Sequence, residues 1–233
     1  MILVKLILAH IVGDFFLQRG KWIESKEEKK WFSPHLFLHV FIHFVLMILV
    51  LWDLSALSGI LFITFTHYVI DGCKLTFHTK SSRGLWFAVD QVAHFLVLVA
   101  VWYFYWGEGY VVGLSDQFWI LLTGVLFLTY PASYFMQNLM APWSDQIDSD
   151  QNESLRGAGK YIGMLERIFV YLAIITGNIQ VIGFLLAAKS VFRFGDLTRS
   201  KDNKLTEYIL IGTLLSFLMA IVVGLLSTRL NFI

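Results

Sequence analysis

Histidine and aspartate recur at one spacing through the first half of the chain. His67 and Asp71 are four apart with Lys74 three further on, so all three share one helical face. The same interval separates His10 from Asp14, His35 from His39 from His43, and Asp90 from His94. Six of the seven histidines thus have a His or Asp partner four residues away. Neutral imidazole and carboxylate together suit Zn, Fe or Mn, and helical bundles build metal sites from ligands that converge from facing helices. The metal-ligand candidates are His10, Asp14, His39, His43, His67, Asp71, Asp90 and His94, enough for one or two divalent ions. Asp71, Asp90 and Lys74 are the catalytic candidates, since a carboxylate left free of metal can act as a general base. Gln18 and Gln91 lie beside these stripes as substrate contacts or supports. The competing reading is interhelical hydrogen bonding alone, with His and Asp as polar glue. His35 is the weakest of its trio, and His78 has no partner at helical spacing.

The elements that must carry these residues are membrane helices. The chain has 233 residues, 57% hydrophobic and only 15% charged, where a soluble domain carries nearer a quarter. Net charge is +1, which provides no basic field for nucleic acid, and the single cysteine, Cys73, excludes an intrachain disulfide framework. About eight spans can be drawn, near 1–18, 35–52, 59–74, 86–106, 117–137, 158–176, 178–192 and 206–228. Ser33-Pro34 reads as the start of the second, and Pro131 should kink the fifth. The first four form a His/Asp-bearing domain over 1–106, and the last four a C-terminal domain over 117–233.

Loop charges orient the spans. Segments 19–34, 74–85, 138–160 and 189–205 carry lysine and arginine, whereas 53–58 and 107–116 carry none. The basic loops are then cytoplasmic and both termini outside. This orientation puts all four His/Asp stripes in the cytoplasmic halves of their spans, at one depth.

The C-terminal half has no histidine after His94. Its polar residues gather near the expected cytoplasmic ends: Glu166 and Arg167, then Lys189 and Arg193. They form either an ion-pair network or an anion site for a phosphate or lipid headgroup, with Arg167, Lys189 and Arg193 as the contacts. Segment Arg156-Gly-Ala-Gly-Lys160 lacks the spacing of a phosphate loop and follows no strand.

The ordered motifs His10-x3-Asp14-Phe15-x2-Gln18, His39-x3-His43, His67-x3-Asp71-x2-Lys74 and Asp90-Gln91-x2-His94 resemble the bacterial membrane family called domain of unknown function 3307. The resemblance covers roughly residues 1–105, and the C-terminal half looks like an extension that some members carry. It implies a multi-pass protein of the bacterial inner membrane and supplies no activity. The residues themselves lead to an all-α polytopic bundle with a divalent transition metal, acting as a hydrolase or transferase on a lipid or lipid-phosphate substrate. Transport of a divalent cation or proton is the rival class, and a non-catalytic assembly protein the third.

Overall fold

The computed structural model describes residues 1–79, 82–107, 114–144, 157–199 and 203–231. Every regular element among them is helical. The chain divides into two compact units, Met1–Trp119 and Ile120–Ile233.

The first unit is a four-helix bundle with a short helix at one end. Helix α1 (Ile2–Ile11) continues into a π-helical turn, Val12–Leu17; α2 spans Gly20–Lys29, α3 Pro34–Leu51, α4 Leu57–Phe77 and α5 Arg83–Trp106. Pro34 opens α3 at a position where its missing N–H costs nothing. Helices α1, α3, α4 and α5 pack as a closed ring: α1 on α3, α3 on α4, α4 on α5, and α5 back on α1.

Each inward stripe is half apolar and half polar. Leu6 and Ala9 precede His10 on α1; Ile60 and Ile63 precede His67 and Asp71 on α4. On α3 and α5 the order reverses, His39 and His43 before Met47, and Asp90 and His94 before Leu98 and Val101. Successive bundle helices run in opposite directions, so one end collects the apolar halves and the other the ionisable ones. The apolar end packs as one cluster of Leu6, Ala9, Met47, Ile60, Ile63, Leu98 and Val101. The outside is apolar as well, with Phe41, Phe62, Phe65 and Phe104 exposed. Polar inside and apolar outside is the arrangement a lipid solvent imposes.

Five stretches are long and apolar enough to cross a membrane: Pro34–Leu51, Leu57–Phe77, Arg83–Trp106, Asp116–Ser144 and Lys204–Leu230. The other three expected spans are helical but do not meet that measure unaided. The first, Ile2–Leu17, is short. Helix α8 (Ala158–Ile175) carries Lys160, Glu166 and Arg167, and in α9 (Gln180–Arg199) the apolar stretch Gln180–Val191 is shorter than that measure.

In the second unit Pro131 does more than kink a span. Helices α6 (Leu114–Phe127) and α7 (Tyr130–Ser144) are separate, joined through a turn at 128–129. A proline has no N–H for the carbonyl four residues back, and its ring crowds that carbonyl. That carbonyl belongs to Phe127, and the turn that follows it also needs donors, because Leu128 is buried. Arg167 serves the turn: Nε donates to the Leu128 carbonyl at 2.7 Å, and Nη2 at 3.3 Å to the Thr129 carbonyl, which also accepts the Ser133 N–H at 3.1 Å. Around this point α8 packs on α10 (Asn203–Asn231), with Leu128, Val170, Tyr171, Phe217 and Ala220 in the core. Gly124 leaves room for the Tyr171 hydroxyl, which bonds Ser227 at 3.0 Å.

Arg167→Leu should therefore lower the stability of the detergent-purified protein by about 1–3 kcal/mol, the cost of leaving a buried carbonyl unsatisfied. Thermal unfolding should show a lower midpoint for this variant and none for Lys160→Gln, whose side chain is exposed.

Candidate metal centre

All eight residues of the His/Asp set converge at the polar end of the first bundle. Seven of them are buried, from His43 at 0% exposure to His10 at 6%, and the Asp14 side chain is 10% exposed. Imidazole rings are in mutual contact, His43 on His67 at 4.0 Å between centroids and His67 on His94 at 4.1 Å.

The tightest grouping is Asp14, His39, His43 and His67, whose donor atoms all lie within 4.8 Å of one another. Asp14 Oδ1 is 3.1 Å from His43 Nε2, 3.2 Å from His39 Nε2 and 3.7 Å from His67 Nε2. His39 Nε2 and His67 Nε2 are 3.1 Å apart. A tetrahedral zinc with bonds of about 2.0–2.1 Å separates its donors by about 3.3–3.4 Å. These four distances lie on either side of that value. Three nitrogens and one carboxylate oxygen are also a donor set that suits zinc, iron or manganese.

A second grouping, His67, Asp71 and His94, shares His67 with the first. His94 Nδ1 lies 2.8 Å from the Asp90 carbonyl oxygen, an atom that can only accept. Nδ1 therefore carries the hydrogen, and in the neutral ring Nε2 carries the lone pair. That Nε2 is buried without a hydrogen-bond partner, 4.0 Å from Asp71 Oδ1. His10 Nε2, 3.5 Å from Asp14 Oδ2, and Asp90 Oδ1, 3.8 Å from His94 Nδ1, are buried without a hydrogen-bond partner too. Orphaned acceptors aimed into one cluster are what a divalent cation would satisfy. A neutral imidazole offers one lone pair, so His67 can serve one grouping at a time through Nε2.

Charge balance singles out Asp14. Lys26 Nζ reaches Asp71 Oδ2 at 3.0 Å, and Lys74 Nζ reaches Asp90 Oδ2 at 2.8 Å. Asp14 has no lysine among the described residues. Its Oδ2 accepts from Gln91 Nε2 at 3.0 Å, and the same amide donates to Asp90 Oδ2 at 3.1 Å. Gln91, expected as a support or a substrate contact, has both its N–H groups spent on carboxylates. Buried charges are paired or coordinate metals.

The chain's local structure is shaped around these atoms. Asp14 lies in the π-helical turn Val12–Leu17, a form that recurs at functional sites. The wider turn points Oδ1 at the α3 imidazoles while Oδ2 stays 3.5 Å from His10 Nε2. Gly13 is required there, since a β-carbon would overlap the His43 ring.

Lys26 is the functional residue that sequence reasoning missed. Segment 19–34 was expected as a basic loop, but it folds as α2 and a 3-10 turn, Lys30–Phe32, which together cover the polar end. Lys26 is 4% exposed. The covering segment is pinned by Trp31, whose Nε1 donates to Thr76 at 2.8 Å and whose carbonyl accepts from the Tyr68 hydroxyl at 3.0 Å. Gly72 makes way for the Trp31 ring. The available signal was Ile23, three residues before Lys26 and on its face of the helix.

The remaining expectations resolve one by one. Lys74 turns inward to Asp90, with its side chain 32% exposed. Gln18 is half-buried at the end of the π turn and makes no side-chain hydrogen bond among the described residues. His35 packs on Trp22 outside the cluster. His78 does have a partner, Glu27 at 3.8 Å. Arg167 and Lys189 belong to the second unit, where Lys189 Nζ bonds Glu166 Oε2 at 2.7 Å. The side chain of Arg193, like residues 145–156, lies outside the described part.

Residues 2–122 match the model of a family described as a protein of unknown function (DUF3307). No curated protein and no solved structure matches the chain.

Gly13→Ala should displace the His43 ring and weaken binding of added Zn2+ by about tenfold or more, the usual penalty for disturbing the support of a ligand. Titration of chelator-treated protein measures this. Gly20→Ala, whose β-carbon meets nothing, should bind as the parent does.

Proposed function

The chain belongs to the DUF3307 family, and we propose that it is a metal-dependent enzyme of the bacterial inner membrane, a hydrolase or transferase acting on a lipid or lipid-phosphate substrate. The observation that carries this reading is the enclosed quartet of Asp14, His39, His43 and His67, whose donor atoms lie within 4.8 Å of one another. Three of the four would hold the ion through Nε2 and Asp14 through Oδ1, with Asp71 and His94 as the alternative or second position. A bound divalent ion polarises a phosphoryl or acyl oxygen and makes hydroxide accessible near neutral pH.

The chain's own residues have distinct duties in this scheme. Asp90 Oδ1, buried and without a partner, is the atom placed to accept a proton from water. Lys74 on Asp90 Oδ2 and Lys26 on Asp71 Oδ2 hold those carboxylates in place. Gln91 ties Asp14 to Asp90, and α2 keeps bulk water from the layer. Gln18 stands at the rim as a contact for substrate.

We place the polar end at the cytoplasmic leaflet, with both termini outside and about eight crossings, from the lysines and arginines of 19–34 and 74–85. Transport of a cation is disfavoured by the packed apolar half of the bundle. Leu6, Met47, Ile60, Ile63 and Leu98 continue the same stripes and offer no polar path onward.

Two experiments bear on this. In a Cys73→Ser background, a cysteine at Glu28 should label only after the membrane is opened, and one at Ser55 from outside; the reverse pattern would put the site on the other leaflet. Reconstituted protein should not move Zn2+ or Mn2+ across sealed vesicles. Its overproduction should instead alter the cell's lipid-phosphate profile, and Asp14→Asn and Asp71→Asn should each abolish that change. Ion flux lost in Asp71→Asn, with unaltered lipids, would identify a transporter.

A further inference from the structure

The second unit contains a buried cation without a counter-ion. Arg167 is 3% exposed, and its guanidinium bonds only neutral groups: the Leu128 and Thr129 carbonyls and the hydroxyls of Ser133 and Ser216, at 2.7 and 3.2 Å. Its neighbour Glu166 is taken by Lys189 at 2.7 Å. Among the described residues no carboxylate pairs with Arg167. An isolated buried charge is costly, and hydrogen bonds to dipoles offset that only in part. Four of the five N–H groups are spent, and the fifth is on Nη1. That nitrogen borders Gly163, where a β-carbon would come within 3.3 Å of it.

Beside it is a cavity of about 450 Å3 between α7, α8 and α10. Its volume is in the range of small-molecule sites and exceeds what a bare phosphate fills. Lys160 lines it as a second cation. The ammonium lies over the rings of Tyr130 and Tyr134 at 4.4 and 5.9 Å and has no acidic partner among the described residues. Tyr208 and Gln137 also line it, and their side chains make no hydrogen bond among the described residues. Met136 and Met140 add an apolar wall. Gly159 and Gly163 keep the α8 side open, and a side chain at 159 would meet nothing.

We propose that this cavity binds a phosphate-bearing anion, the negative charge set between Arg167 Nη1 and Lys160 Nζ. The apolar wall and the volume fit the headgroup of an anionic phospholipid; free phosphate shares the charged half of that chemistry. The site is separate from the metal reading and stands whether or not the His/Asp layer holds an ion.

The test uses the full chain in neutral detergent, titrated with short-chain phosphatidylglycerol or phosphatidylcholine and followed by native mass spectrometry. Phosphatidylglycerol should bind in preference, and Lys160→Gln should weaken it about fivefold, the worth of one lysine at a membrane surface. Gly159→Leu should block binding by filling the cavity, with no loss of metal content. Lys204→Gln, the same charge change at an exposed residue that does not line the cavity, should have no effect. Inorganic phosphate distinguishes the sources: displacement of the lipid by millimolar phosphate identifies a free-phosphate site, and retention a headgroup site. Equal weakening by Lys160→Gln and Lys204→Gln, or binding untouched by both Lys160→Gln and Gly159→Leu, would overturn the proposal.

Discussion

Three buried carboxylates face two buried or half-buried lysines at the polar end of the first bundle, and the imbalance falls on Asp14. Asp71 is answered by Lys26 and Asp90 by Lys74. Asp14 is answered by imidazoles and an amide. Removing a carboxylate from water costs several kcal/mol unless something of opposite charge is brought to it. Much of the surrounding structure follows from that demand. The π turn aims the carboxylate, Gly13 lets the His43 ring approach, and α2 folds over the layer to deliver Lys26. A divalent cation among Asp14, His39, His43 and His67 would supply the positive charge that the lysines do not bring to Asp14.

The two units meet the same constraint with different chemistry. In the first, ionisable groups fill half of every inward stripe, and an apolar cluster seals the other half. In the second, the helix breaks just before a proline and an arginine donates to carbonyls of the turn, at the cost of a buried positive charge. Each solution leaves a residual charge of one sign inside an apolar shell: negative at Asp14, positive at Arg167. A cation and an anion are the respective complements.

Helix type, the His/Asp spacing and a bend at Pro131, though not a full break, were legible in the sequence because each is a local rule. A four-residue interval fixes a face, and a proline removes a donor, whatever the rest of the chain does. The convergence of four stripes at one end was legible as well, since it follows from alternating helix direction. What could not be read depends on tertiary contact. Lys26 looked like one more basic loop residue, because nothing local says that its helix folds back onto Asp71. Gly13 bears no chemical group, and its importance comes from a ring on another helix. Arg167 was expected in either an ion-pair network or an anion site; the carbonyls it serves lie almost forty residues earlier in the chain.

The central claim is that the Asp14 quartet is a metal site. X-ray absorption on protein purified without chelators or added metal tests it most directly. The account predicts one or two transition-metal ions per chain, with nitrogen and oxygen neighbours at about 2.0–2.1 Å, imidazole outer-shell scattering, and loss of that signal in His67→Ala. A metal-free protein, or a metal signal that persists unchanged in His67→Ala, would contradict it and leave the layer as polar glue.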